Sequence, residues 1–236
     1  MGPKAAVQWS QACRQTICQE HLDHHAHEGD AFRHQTVTGD KSWVYHYEPQ
    51  SKRQLMWWKH PSSLANKKFK TKASTGKVMP TIFQDVNGPI LVHFQEKGQT
   101  MTSARYSDML VNELKTAVQL KCRGLLSKSV LLFHDNARPH MAAHAVDTLR
   151  ALKFEVLKHP PYSPDLAPSD FHLFGPMKEH LHGQKFADDN EVMEAVQSWL
   201  KSIPKSFFLE GICKLVDQVR CEAGGLCRKI RHKQLL

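Results

Sequence analysis

Apolar and polar residues follow one another along this chain in patterns that predict both strands and helices. Residues 13–28 have the spacing of a helix, and the β-rich run from residue 35 to residue 39 follows it. The pattern predicts further strands at residues 43–47, 78–85 and 90–95. Asn87-Gly88 lies between the last two runs and is strongly typical of a hairpin turn. The amino-terminal part is therefore predicted to form a three-stranded antiparallel meander.

The rest of the chain predicts alternating helices and strands. Residues 103–121 carry apolar side chains at helical spacing, and the continuous apolar run 130–133 is typical of a strand buried on both faces. A helix at 141–153 and a strand at 154–157 form the next crossover. Pro160, Pro161 and Pro164 are then expected to hold the chain extended. Two amphipathic helices follow, at 191–200 and 207–219, with apolar faces that we assign to the core. The fold class is α/β.

Composition narrows the functional classes. The 236 residues are 41% hydrophobic, enough for one principal domain with a full core. The net charge of +9 suits a polyanionic partner, although such charge also serves solubility. No apolar run approaches a membrane span and no signal peptide is evident, so a soluble intracellular protein is expected. The six cysteines lack zinc-ligand spacing, and a solvated helix face is favoured over metal binding for His21, His24, His25 and His27.

Asp40, Asp135 and Asp170 each end a strand-like run or begin a helix. Phosphodiester chemistry near neutral pH needs a group that activates a nucleophile and absorbs charge on the leaving oxygen, and two divalent ions supply both. Magnesium prefers hard oxygen ligands such as these carboxylates. The alternative is that Asp135 and Asp170 are turn or cap residues, since these positions favour aspartate anyway. Spacing alone leaves both interpretations open.

Three motifs, TGDKSW (38–43), HDNARPH (134–140) and YSPDLAPSDFHLF (162–174), followed by KEHLHGQKF (178–186), resemble the catalytic domain of mariner-family (Tc1/mariner) transposases in order and spacing. The resemblance runs from about residue 18 to about residue 219. It implies a ribonuclease H-like mixed sheet flanked by helices and an Asp-Asp-Asp triad on Asp40, Asp135 and Asp170. It also implies metal-dependent DNA cleavage and strand transfer with two Mg²⁺ or Mn²⁺ ions, DNA as the partner, a homodimer, and a nuclear location.

On this resemblance the chain divides into a lead-in at 1–33, a catalytic domain at 34–222 and a basic tail at 223–236. The domain contains a basic insertion at 46–76, which combines positive charge with the aromatic residues Trp57, Trp58 and Phe69. In the family the corresponding insertion reaches across a dimer, and a solvated basic loop is the alternative. The DNA-contact candidates there are Lys52, Arg53, Lys59, Lys67, Lys68, Lys70 and Lys72.

Arg138 and His140 follow Asp135 closely and are further candidates for DNA contact. They could orient a substrate phosphate or a ligand carboxylate. They could equally cap and pack the following helix. The sequence does not distinguish these roles.

Some features depart from the family pattern. Family members usually carry Glu directly after the first Asp, whereas this chain has Lys41, which strand alternation predicts to face away from Asp40. The paired helix-turn-helix modules of the family are expected to be absent, and specific recognition of transposon ends with them. The alternative function is therefore a decayed or co-opted DNA-binding or dimerisation module. The chain also resembles the transposase part of a SET methyltransferase fusion, but no SET-like segment is recognised.

Overall fold

The structure, a computed structural model, describes residues 3–49, 74 and 76–223, with side chains from residue 11 onward. The strands in this part of the chain are β1 (Thr36–Lys41), β2 (Val44–Tyr45), β3 (Lys77–Val78), β4 (Pro80–Asp85), β5 (Gly88–Phe94), β6 (Val130–His134) and β7 (Phe154–Leu157). The helices are α1 (Pro3–Glu28), α2 (Asp30–Gln35), α3 (Ser103–Asp108), α4 (Lys115–Lys121), α5 (Leu125–Lys128), α6 (Arg138–Met141), α7 (Ala143–Ala151), α8 (Gly175–Leu181), α9 (Asp189–Ser202) and α10 (Lys205–Ala223).

The main sheet has the strand order β5-β4-β1-β6-β7. β1 pairs antiparallel with β4 and parallel with β6, so the sheet is mixed, as the sequence predicts. The predicted meander is β1, β4 and β5, joined at the hairpin by Asn87-Gly88. The expected strand at 78–85 is divided, because Val78 belongs to β3, which pairs with β2 in a separate two-stranded sheet.

A close approach of two strands explains the glycine before the first candidate aspartate. Gly39 on β1 lies opposite Phe83 on β4. A Cβ atom at Gly39 would lie 2.3 Å from the Phe83 ring, well inside van der Waals contact. The position therefore excludes every side chain, and Phe83 can seal the core directly under the strand end that carries Asp40.

Helices cover both faces of the sheet. The predicted helix 103–121 is present as α3 and α4, with a π-helical segment, Met109–Leu114, between them. This segment buries Leu110 and Leu114 against Val37 and Leu132, whose side chains leave one face of the sheet. Helices α8, α9 and α10 pack on the other face, so the predicted core role of the two carboxyl-terminal helices is confirmed.

The amino-terminal helix α1 belongs to the same folded unit, since it packs along α10. Cys18 of α1 shares a hydrophobic cluster with Phe133 and Val219. His21 is also buried there, 6% exposed, with its ring edge against Phe133. The prediction of a solvated histidine face is therefore wrong for His21, because that side of the helix covers the sheet.

The segment after β7 also departs from its prediction. The three prolines do not hold it extended: Tyr162 takes a positive φ of 53°, and Pro164–Leu166 form a 3₁₀ turn. A π-helical segment, Ser169–Phe174, then runs directly into α8. Within the described residues, no helix has the length and apolar character that a bilayer crossing requires.

Candidate active site

The three candidate aspartates converge at one edge of the sheet. Gly39 and His134 are paired in the parallel register of β1 and β6, so Asp40 and Asp135 follow at the same carboxyl edge. Asp170 lies in the first turn of the π-helical segment and is hydrogen-bonded to Asp40 through their carboxyl groups. Residues separated by 35 and 95 positions are thus brought together by strand pairing and one helix end.

The carboxyl groups of Asp40 and Asp170 lie close together, and the pKa of each is raised. Burial, followed by the charge of Asp170, raises the pKa of Asp40 to about 8. Burial and the charge of Asp135 also raise the pKa of Asp170. Two carboxylates this close cannot both ionise without a cation between them, so they share a proton. The backbone amide of Lys41 donates to Asp40 Oδ1 at 2.7 Å and fixes the orientation of that carboxyl group.

Asp135 has the opposite character. Burial favours its neutral form, but the hydrogen bond and charge of His140 and the charge of Lys41 bring the pKa of Asp135 down to about 2. The His140 Nδ1 atom lies 2.6 Å from Asp135 Oδ1, and Nδ1 also contacts the Asp135 carbonyl oxygen at 3.2 Å. The backbone N–H of Ala137 donates to the carboxylate at 3.3 Å. Asp135 is thus held as a carboxylate in a fixed orientation.

A buried tyrosine supports this histidine. Tyr106, 1% exposed, stacks on the His140 ring with 4.0 Å between ring centroids. Its hydroxyl is hydrogen-bonded to His134 Nδ1 at 3.0 Å. The sequence analysis missed Tyr106 because it lies within an apolar helical pattern. The feature that marked it was its hydroxyl group, a polar atom on a helix face that is otherwise apolar.

Two lysines lie near the carboxylates. Lys41 lines the same small cavity as Asp40, Tyr106 and His140, and its charge contributes to the low pKa of Asp135. Strand alternation predicts that Lys41 faces away from Asp40. Its charge nevertheless acts on the Asp135 carboxylate. Lys178 on α8 acts similarly on Asp170, where its charge partly opposes the raised pKa.

The loops that carry the second and third aspartates are tied to each other. The side-chain amide of Asn136, next to Asp135, donates to the carbonyl oxygen of His159, at the start of the segment that leads to Asp170. The His159 ring packs edge-on against Phe133 of β6. This contact fixes the ends of β6 and β7 relative to each other.

The donor chemistry of the site fits a hard divalent cation. All three side chains supply carboxylate oxygen, and the shared proton of Asp40 and Asp170 marks a position where positive charge is needed. Across the residues that the structure describes, no three His, Cys, Asp or Glu side chains already have metal-binding geometry. One carboxylate oxygen of Asp135, Oδ1, is turned toward the His140 ring at 2.6 Å.

Of the other predicted site residues, Arg138 and His140 lie within the described part of the chain. Arg138 is exposed on α6, where a DNA backbone could reach it. His140 is only 6% exposed and contacts Asp135, which favours the role of orienting a carboxylate among those that the sequence left open; its contact with DNA stays a prediction. The seven basic residues of the insertion, Lys52, Arg53, Lys59, Lys67, Lys68, Lys70 and Lys72, lie outside the described residues.

Comparison with known proteins extends over most of the chain. A family model described as "Transposase (partial DDE domain)" matches residues 48–128. The Mariner Mos1 transposase of Drosophila mauritiana is 34% identical over 190 residues, which are 80% of this chain and 54% of that protein. The human histone-lysine N-methyltransferase SETMAR is 32% identical over 190 residues, 80% of this chain and 27% of that protein. The chain thus spans about half, or less, of the curated relatives it matches.

Solved structures agree with this relationship. The Mos1 mariner paired end complex with Mn has a TM-score of 0.83 and 30% identity, covering 97% of this chain and 64% of that chain. The catalytic domain of Mos1 mariner transposase has a TM-score of 0.75 and 29% identity, covering 95% of both chains. The coverage is therefore nearly complete for a catalytic domain alone and partial for the longer proteins.

Proposed function

Because this chain belongs to the mariner family of transposases and matches their catalytic domain, we propose that it is a metal-dependent DNA endonuclease and strand-transfer unit of cut-and-paste transposition. The observation that carries the proposal is the meeting of Asp40, Asp135 and Asp170 at one sheet edge, with the carboxyl groups of Asp40 and Asp170 in hydrogen-bonding contact. A protein that used these side chains only as turn or cap residues would have no need to bury like charges together.

The chain's own groups would divide the work at this site. Asp40 and Asp170 would hold a cation with their carboxyl groups ionised, so cation binding would be coupled to proton release. His140, braced by Tyr106, orients the Asp135 carboxylate. A bound pair of Mg²⁺ or Mn²⁺ ions would supply activation of a water or a DNA 3′-hydroxyl and neutralise charge on the leaving oxygen. Gly39 and Phe83 close the site from the core side.

The proposed partner is DNA, held by a homodimer in the nucleus. The net charge of +9 favours a polyanion, and Arg138 offers an exposed guanidinium close to Asp135 in sequence. The Mos1 complexes are paired-end and strand-transfer assemblies, which supports a DNA substrate and more than one protein copy. The basic insertion is the proposed second contact with DNA and with the partner protomer.

The test is cleavage of supercoiled plasmid DNA by the purified protein with Mg²⁺ or Mn²⁺ and with EDTA. Asp135→Ala should abolish metal-dependent cleavage, because the remaining pair would lose its ionised neighbour. Asp147→Ala is the matched control, since Asp147 is an exposed aspartate on α7 that pairs with Arg150 at 3.3 Å. Cleavage that needs no metal, or that survives Asp135→Ala, would contradict the proposal.

A second function is favoured by one specific observation: the charge of Lys41 acts on Asp135 where a cation would otherwise bind. On this proposal the chain binds DNA without cutting it. Lys41→Glu, the residue usual in the family, distinguishes the two functions. Wild-type protein that binds DNA in a salt-dependent manner but gains Mn²⁺-dependent cleavage only with Lys41→Glu would support the second function.

A further inference from the structure

A single guanidinium joins three separate parts of the fold behind the third aspartate. Arg14 on α1 donates from Nη1 to Ser163 Oγ at 2.6 Å and to Asp165 Oδ1 at 3.1 Å. Its other terminal nitrogen donates to Asp165 Oδ2 at 2.7 Å and to Glu222 Oε1, on α10, at 2.5 Å. The lead-in helix, the segment after β7 and the last helix therefore share one charged centre.

The contacted segment leads directly to the candidate active site. Ser163 is 1% exposed, and its carbonyl oxygen accepts from the backbone N–H of Leu166 at 3.0 Å, closing the 3₁₀ turn. The carbonyl oxygen of Pro164 then accepts from the N–H of Ala167 at 3.2 Å, and that of Ala167 accepts from the N–H of Asp170 at 2.9 Å and of Phe171 at 3.1 Å. Asp165 precedes Asp170 by only five residues. A displacement of the turn would therefore move the first turn that carries Asp170.

Arginine is suited to this position for two reasons. Its planar fork can bind both oxygens of Asp165 while a further N–H reaches another acceptor, which a lysine cannot do. Without Arg14, the carboxylates of Asp165 and Glu222 would face each other with no cation between them. The Arg14 side chain is only 17% exposed, so water screens these contacts incompletely. The hydrogen bond with Arg14 likewise helps to keep the pKa of Asp165 low against the effect of burial.

We propose that Arg14 is a positioning residue for the third carboxylate. It fixes the 163–168 turn between α1 and α10, and through this turn sets where Asp170 stands relative to Asp40. The lead-in helix is then a working part of the catalytic unit. The inference rests on the proposed function for its effect on metal binding, but the positional part is independent of it.

The experiment compares Arg14→Met with wild type by hydrogen exchange and by Mn²⁺ titration. The amides of Leu166, Ala167, Asp170 and Phe171 should exchange about tenfold faster in Arg14→Met, because their turn opens more often. The Mn²⁺ concentration for half-maximal binding, followed calorimetrically, should rise roughly tenfold, as for other groups that orient ligands. Arg14→Lys, which keeps the charge and loses the fork, should fall between the two.

Arg33→Met is the matched control. Arg33 also joins an amino-terminal helix to α10, through a 3.6 Å contact with Cys213, and its other hydrogen bond, to Asp30, stays within α2. It should change neither measurement. If Arg14→Met folds poorly, Asp165→Asn provides the same test, since it removes one charge from a side chain that is 59% exposed.

Two results would overturn the inference: unchanged exchange at the four amides in Arg14→Met, or faster exchange with an unchanged Mn²⁺ midpoint. A wild-type protein that does not bind Mn²⁺ would instead overturn the proposed function. The exchange comparison would then still decide whether Arg14 holds the turn.

Discussion

The two sides of the active-site edge treat the same chemical group in opposite ways. On one side, burial and a second carboxylate raise the pKa of Asp40 to about 8. On the other side, a histidine and a lysine bring the pKa of Asp135 to about 2. The sheet places both aspartates one residue after a paired position of β1 and β6, so they lie at the same edge. Asp40 is still within β1, paired with Ile82, whereas Asp135 follows the end of β6.

The charge of each aspartate at this site is therefore decided by its neighbouring side chains more than by its position on a strand. On the Asp40 side, burial and like charge outweigh the opposing charge of Lys178 on Asp170, so this side would gain most from a cation. The Asp135 side already has a partner in His140, which fixes its orientation before any cation arrives. A site with one prepared ligand and one protonated pair can bind a cation only by releasing a proton.

The largest change in metal-dependent cleavage should follow removal of the Asp170 carboxylate, the like charge beside Asp40. Asp170→Asn takes away the second carboxylate, so the pKa of Asp40 should fall toward its ordinary value while burial still keeps it raised. Metal-dependent cleavage should fall by roughly 1,000-fold or more, as when one member of a joint catalytic set is removed. Carboxyl-carbon NMR titration measures the first effect and plasmid cleavage the second. If the pKa of Asp40 stayed near 8 in Asp170→Asn, the like charge of Asp170 would not be a cause of the difference between Asp40 and Asp135.

Loss of the histidine should have a smaller effect. In His140→Ala the pKa of Asp135 should rise from about 2, because its largest stabilising partner is gone. Mn²⁺ affinity should fall about 10–100-fold, the range for groups that orient metal ligands. His144→Ala is the control, since His144 bonds Ser107 Oγ at 2.8 Å instead of an active-site carboxylate. Equal effects of the two substitutions would contradict the role of His140.

The pH dependence of folding should differ in sign between the two sides. The pKa of Asp40 is raised on folding, so its contribution to the free energy of unfolding falls as the pH rises from about 4 to about 8. The pKa of Asp135 is lowered, so its contribution is present above about 4 and is lost as the pH falls toward 2. Each pH unit in these windows corresponds to at most about 1.4 kcal/mol.

Denaturant unfolding in EDTA, repeated from pH 2 to pH 8, tests this difference. Asp40→Asn should gain stability relative to wild type as the pH rises above 5, whereas Asp135→Asn should lose its disadvantage as the pH falls below 4. Parallel pH profiles for the two variants would show that the two carboxyl environments are alike.

The smallest effect, a change in Mn²⁺ affinity, should come from substitution of Lys41. Lys41→Glu removes a positive charge that acts on Asp135 and adds a negative one. Mn²⁺ affinity should rise several-fold, in keeping with about 1 kcal/mol for a partly screened charge. Lys41→Gln should give a smaller increase, and Lys153→Glu, on the turn after α7, should give none. Weaker Mn²⁺ binding by Lys41→Glu would contradict this account.

Much of the fold could be predicted from local pattern. Alternation and the Asn87-Gly88 signal gave the hairpin, and the apolar run before His134 gave a buried strand, because both depend on neighbours in sequence. The turn at Tyr162 could not be predicted, since its backbone is set by contacts of Ser163 and Asp165 with a helix about 150 residues earlier.

The meeting of the three aspartates could be predicted from the sequence, whereas the side chains that orient them could not. The resemblance indicated the three aspartates, but Tyr106 lies in an apolar helix and acts through two histidines that only the sheet brings near it. The influence of Lys41 was misjudged because alternation describes where a side chain leaves the strand and not how far its charge acts. His21 was misjudged because an isolated helix does not reveal which face it buries.

The packing of α1 against α10 also has a practical consequence for making the protein. A recombinant fragment that starts at residue 34 would uncover Leu215, Val216 and Val219, the apolar residues that the first helix helps to bury. Such a fragment should aggregate during purification. Expression designs should therefore keep the whole first helix, even when only the chemistry at the sheet edge is of interest.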